Sequence, residues 1–103
     1  MTFHAEKING LCRARIEGEM TIFNAADLKK DLLEMLNECQ EMELDLSEVS
    51  ELDTAGLQLL VLAKRESENL KKSLRIASCS GAITAVMELF NMKEYFEETG
   101  YRQ

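Results

Sequence analysis

Proline is absent from this chain. So are low-complexity segments and internal repeats, and nothing in the sequence marks a linker between domains. There is a single histidine, His4. No Gly-rich phosphate loop and no paired nucleophile and base can be assembled by spacing, which argues against an enzyme. The three cysteines, Cys12, Cys39 and Cys79, are odd in number and far apart. They read as structural thiols and not as disulfides or metal ligands, so no metal and no cofactor are expected. Cys79 precedes a predicted helix start, where a thiolate would be stabilised, and is the one candidate for reactivity. No apolar run approaches the roughly 20 residues of a membrane span. Met1 to Gly10 lacks the charged and apolar regions of a signal peptide, so the expected location is the cytoplasm, without direct membrane insertion. Basic residues are also scarce: 12 Lys+Arg stand against 19 Asp+Glu, a net charge of -7. That balance disfavours nucleic acid and anionic membranes and points to a protein partner.

What is present suits one soluble unit. The 103 residues are 46% hydrophobic and 30% charged, enough for a single core and too few for two, so one domain is expected over residues 1–103. Asn9-Gly10 separates two strand-like runs and suits a tight hairpin turn. Beyond it Cys12, Ala14 and Ile16 alternate with Arg13, Arg15 and Glu17, the period of a strand with one buried face. Gly18 permits a bend or bulge, and Met20 and Ile22 continue the apolar face. Asn24 is placed to cap a helix carrying Leu28, Leu32, Met35 and Leu36 at helical spacing, with Asp27 and Asp31 near its positive end.

Met42, Leu44 and Leu46 predict another strand ending at Ser47. A second helix follows from about Thr54 to Leu70, then a short strand at Leu74, Ile76 and Ala77. Ser78-Cys79-Ser80-Gly81 opens a third helix with Ile83, Val86, Met87 and Phe90 on one face. Strand-helix-strand units joined this tightly require parallel pairing, and the hairpin adds an antiparallel edge. The expected architecture is α/β, a single domain with a mixed β-sheet flanked by α-helices.

One short stretch stands out. Asp53-Thr54-Ala55-Gly56 places small residues where a strand's carboxyl end enters the second helix, the usual place for a site in such a sheet. Unpaired N–H groups there favour an oxygen-bearing cap, from Asp53 or Thr54. Ala55 and Gly56 would keep the surface low for an approaching partner; the alternative reading of Gly56 is close packing against the strand. Leu57, Leu59, Leu60, Val61 and Leu62 read as core, with part of the run dense enough to form an exposed contact patch.

Asp45-Leu46-Ser47, Val49 and Leu52-Asp53-Thr54-Ala55-Gly56-Leu57 together resemble the signature of the STAS domain. That domain is shared by bacterial anti-sigma-factor antagonists and the cytoplasmic tails of sulfate transporters. Gly18-Glu19-Met20-Thr21-Ile22 with Asn24-Ala25-Ala26 is similar to the family's earlier strand-to-helix segment. The resemblance implies a non-enzymatic protein-binding switch whose partner contacts Asp53, Thr54, Ala55, Gly56 and Leu57. In the antagonists a serine at this helix start is phosphorylated by an anti-sigma kinase, and that position falls on Ala55. Alanine has no hydroxyl, so Thr54 is the remaining candidate phosphoacceptor. The implied partners are an anti-sigma factor or serine kinase, a lipid-transporter ATPase, or a histidine-kinase-type protein of a chemotaxis or two-component cluster. Nucleotide sensing is a weaker reading, because the net charge opposes an anionic ligand.

Overall fold

Asn9 and Gly10 both take positive φ, 48° and 85°, as a two-residue turn must to match the twist of the strands it joins. They connect β1 (Thr2–Ile8) to β2 (Leu11–Met20), and the antiparallel register runs from Ile8↔Leu11 to Thr2↔Glu17. The computed structural model describes residues 2–97. After the hairpin come α1 (Ala25–Glu38), β3 (Glu41–Leu52), α2 (Thr54–Asn69), β4 (Ser73–Cys79), α3 (Gly81–Leu89) and α4 (Lys93–Glu97). β3 pairs in parallel with β2 and β4, so the sheet order is β1-β2-β3-β4. Each parallel step is bridged by a helix, as parallel pairing demands. The Gly10 carbonyl accepts from the N–H groups of Gln40 and Glu41 at 3.0 and 3.2 Å, so the hairpin turn also anchors the start of β3.

Register sorts the two faces of the sheet. Cys12, Met42 and Leu74 lie side by side, as do Ala14, Leu44 and Ile76, and all six are buried. Helices supply the other half of that core: Leu28, Leu32 and Leu36 from α1, Leu57, Leu59 and Leu60 from α2, Ile83 and Met87 from α3, and Phe96 from α4. The alternate positions carry charge. Arg13, Glu43 and Arg75 share a row; Glu43 accepts from Arg13 Nε at 3.1 Å and from the Arg75 guanidinium. Arg75 above all holds the Glu43 carboxyl below its usual range. Cys12 and Cys39 are buried thiols, and burial pushes Cys39 up to about 12.

Several local expectations change. Gly18, at φ 99°, does accompany register shifts between β2 and β3. β3, however, runs on to Leu52 and does not end at Ser47, because β2 continues beside it as far as Met20. Ile22 lies beyond the strand and is exposed. Asn24 occupies the cap position of α1 without a side-chain cap bond; its Nδ2 donates to the Glu19 carbonyl at 3.0 Å instead. Phe90 falls after the last turn of α3 and is half exposed, while Ile83 and Met87 are buried and Val86 partly so. α4 was not anticipated, being a single short turn with one fully buried anchor, Phe96.

Candidate functional site

β2 and β3 end together at Met20↔Leu52, and the chain then turns through Asp53 into α2. The Asp53 N–H donates to the Met20 carbonyl at 3.3 Å. Both carboxylate oxygens of Asp53 are engaged: Oδ1 accepts from Gly56 N–H and Oδ2 from Ile22 N–H, each at 2.9 Å. These backbone donors, Gly56 first and Ile22 second, hold the carboxyl below its ordinary value. One side chain thus caps the helix and fastens the β2–α1 loop beside it. Of the two residues considered for the cap, Asp53 supplies it. Thr54, the first residue of α2, is exposed, and Ala55 is half-buried.

Gly56 and Leu57 depart from the expected contact surface. Gly56 is buried, and a methyl group at its Cβ position would drive into the Met20 carbonyl and come within 2.6 Å of Leu52 Cδ1. Its smallness lets α2 close onto the strand ends, and a bulky replacement has no room. Leu57 is only 7% exposed and belongs to the core. Asp53, Thr54 and Ala55 are left to present this helix start to solvent.

Two neighbours complete the surface, and sequence reasoning missed both. Ile22 is 68% exposed and Phe23 is 90% exposed, on the loop that Asp53 fastens. Their signal was two adjacent apolar residues, Ile22 and Phe23, where alternation would place only one. Ala25, Ala26, Lys29, Ala55, Gln58, Leu59 and Leu62 line a shallow cleft of about 260 Å³. Along α2, Val61 and Leu62 are half-buried and line a wider one of about 560 Å³ with Phe90 and Met92. Beneath the loop, Thr21 is 5% exposed, and its hydroxyl has no hydrogen-bond partner among the described residues.

The other motifs lie elsewhere. Ser80 Oγ accepts from Ile83 N–H at 3.3 Å and caps α3. The Ser78 hydroxyl donates to Asp45 Oδ1 at 2.8 Å, and Cys79 between them is half-buried. Burial raises the Asp45 carboxyl, but hydrogen bonds from Ser47 and Ser78 outweigh it and leave the group below its usual value. His4 sits on β1, 3.6 Å from Glu17. Among the described residues no group of three or more His, Cys, Asp or Glu side chains could hold a metal ion, and no helix is long and apolar enough to cross a membrane.

The domain is thus a four-stranded mixed sheet whose central strands lead to a capped helix start of small residues. The family model described as Mlab, STAS domain matches residues 8–97, and the chain belongs to that family. Solved structures repeat the fold. An anti-sigma factor antagonist from Mycobacterium paratuberculosis superposes with a TM-score of 0.80 at 20% identity, covering 92% of this chain and 81% of that one. The phosphorylated form of the Bacillus cell fate determinant SpoIIAA gives 0.72 at 14% identity, covering 90% and 86%. A sulfate transporter family protein from Wolinella succinogenes gives 0.74 at 22% identity, covering 91% and 78%.

Proposed function

We propose that this chain is a non-catalytic regulator that binds a partner protein through Asp53, Thr54 and Ala55 together with Ile22 and Phe23. The observation that carries this reading is the 90% exposure of Phe23 on a loop held in place by the Asp53 carboxylate. An exposed aromatic on a loop fastened by the Asp53 carboxylate, next to a helix start of small residues, has the character of an interface anchor. The likeness to anti-sigma factor antagonists supports the regulator class, with an anti-sigma factor or serine kinase as partner and the cytoplasm as location.

A second reading, docking onto a transporter ATPase or a signalling kinase by the same surface, is favoured by the methyl group of Ala55. If Ala55 stands at the phosphoserine position, the usual switch has no acceptor, and a constitutive contact needs none. Thr54 then acts as a short polar contact. Phosphate on Thr54 would set charge and bulk beside the Asp53 carboxylate, and would release a partner seated there.

Affinity purification from the native cell with Thr54→Val and Thr54→Glu variants tests the surface. Thr54→Glu should abolish capture of the partner and Thr54→Val should weaken it less. A partner retained at wild-type level by Thr54→Glu would remove Thr54 from the interface. Mass spectrometry of captured protein and bait separates the readings: a sigma-pathway kinase with phosphothreonine supports the first, and an ATPase with unmodified Thr54 supports the second.

A further inference from the structure

β1 is an edge strand with little in the domain to cover it. Of its seven residues only Phe3 is partly buried, and its outer edge is unpaired among the described residues. It contains no proline, and its seven-residue register with β2 is unbroken. Proteins usually blunt such an edge with proline, a bulge or inward-pointing charge; of these β1 has only Lys7, which lies on the face of Cys12 and is drawn to Glu38 at 3.1 Å. We infer that β1 pairs antiparallel with β1 of a second copy of this chain, joining two four-stranded sheets into one about a two-fold axis at Ala5.

The backbone selects which groups are offered. A two-residue turn of this type closes on a mutually hydrogen-bonded pair, here Ile8↔Leu11. Bonding then alternates, so Thr2, His4, Glu6 and Ile8 bond inward to β2, while the N–H and C=O groups of Phe3, Ala5 and Lys7 point outward. Pairing about Ala5 sets Ala5 opposite its own copy and Phe3 opposite the second copy's Lys7, twice. All the outward groups are used, in roughly six hydrogen bonds.

Side chains select the register. With a two-fold axis perpendicular to the sheet, opposed residues must share a face, which leaves centres at His4, Ala5 or Glu6 for a substantial overlap. Centring on Glu6 opposes two carboxylates, and centring on His4 opposes two imidazoles; each also leaves one end of the strand unpaired. Centring on Ala5 puts the His4 ring, an N–H donor, across from the Glu6 carboxylate, which also lies 3.5 Å from Arg13, and the Lys7 side chain, its ammonium 3.1 Å from Glu38, beside the Phe3 ring. Both are favourable cross-strand pairs. It also covers Ile8, 48% exposed in the single chain, with Thr2. Because the axis reverses strand direction, the two α2 starts would lie at opposite ends of the joined sheet, clear of the seam.

Sedimentation equilibrium of the full chain decides this. The mass should rise with concentration from 11.7 kDa to twice that value. Ala5→Pro removes an outward N–H without touching the β2 ladder, a position where an edge strand tolerates proline. It should stay folded by circular dichroism and raise the dimer dissociation constant at least about tenfold. Should Ala5→Pro fail to fold, the charge variants decide: Glu6→Lys should weaken the dimer, and His4→Glu combined with Glu6→Lys should restore it. A chain that stays monomeric to roughly 1 mM, a folded Ala5→Pro that dimerises like wild type, or a charge swap that gives no recovery would each overturn the pairing.

Discussion

Gly56 and Asp53 illustrate two degrees of legibility at the residue scale. Asp53 ahead of a helix reads as a cap from sequence, and it is one. Its second bond, to Ile22 N–H, depends on the strand ends meeting and has no local signal. Gly56 was marked by its smallness, but the reason, the Met20 carbonyl pressed against it, comes from another strand. The consequence is testable with one methyl group. Alanine favours a helix over glycine by about 1 kcal/mol, yet overpacking against backbone costs about 1–3 kcal/mol or somewhat more. Because a carbonyl cannot rotate aside as a side chain can, Gly56→Ala should lower stability by about 2 kcal/mol net of propensity. Its urea midpoint should fall accordingly; an unchanged midpoint would mean that α2 can shift away from β2 at no cost.

Elements were legible where one period held throughout. Leu28, Leu32, Met35 and Leu36 recur at helical spacing, and all four are buried in α1. β3 was truncated in the reading because its alternation fails after Leu46, where Val49 and Leu52 are buried three apart. Register shifts opposite Arg15–Glu17 and Gly18–Glu19 each place one extra residue in β3, which alternation could not reveal. α3 was extended one residue group too far, since Phe90 shares the helical spacing but follows the final turn. These assignments separate two substitutions. Leu32, 0% exposed, should lose about 2–5 kcal/mol as Leu32→Ala, whereas Val86→Ala, at a partly buried site, should lose less. Equal denaturant midpoints for the two variants would contradict this difference in burial.

For the whole molecule, topology was the most legible feature, because short strand-helix-strand connections admit only parallel pairing. The contact surface was the least: exposure of Ile22 and Phe23 is a property of where β2 stops, and α1 begins only at Ala25. The hairpin turn bears on how the molecule is built up in time. The carbonyl of Gly10 accepts from Gln40 and Glu41, so the hairpin of β1 and β2, strands adjacent in sequence, presents on closing the group that seats the first long-range strand. Chain closure across α1 is the slow, entropically costly part of assembling a parallel sheet, and a preformed hairpin gives it a fixed landing point. Gly10 sits at φ 85° with open space around its Cβ position, so Gly10→Ala adds conformational strain and no clash. With about 1 kcal/mol lost, the refolding rate should fall roughly fivefold while the unfolding rate barely changes. Stopped-flow chevrons would register that as a shift of the folding limb alone; a shift confined to the unfolding limb would mean that the turn forms after the rate-limiting barrier and that the sheet nucleates elsewhere.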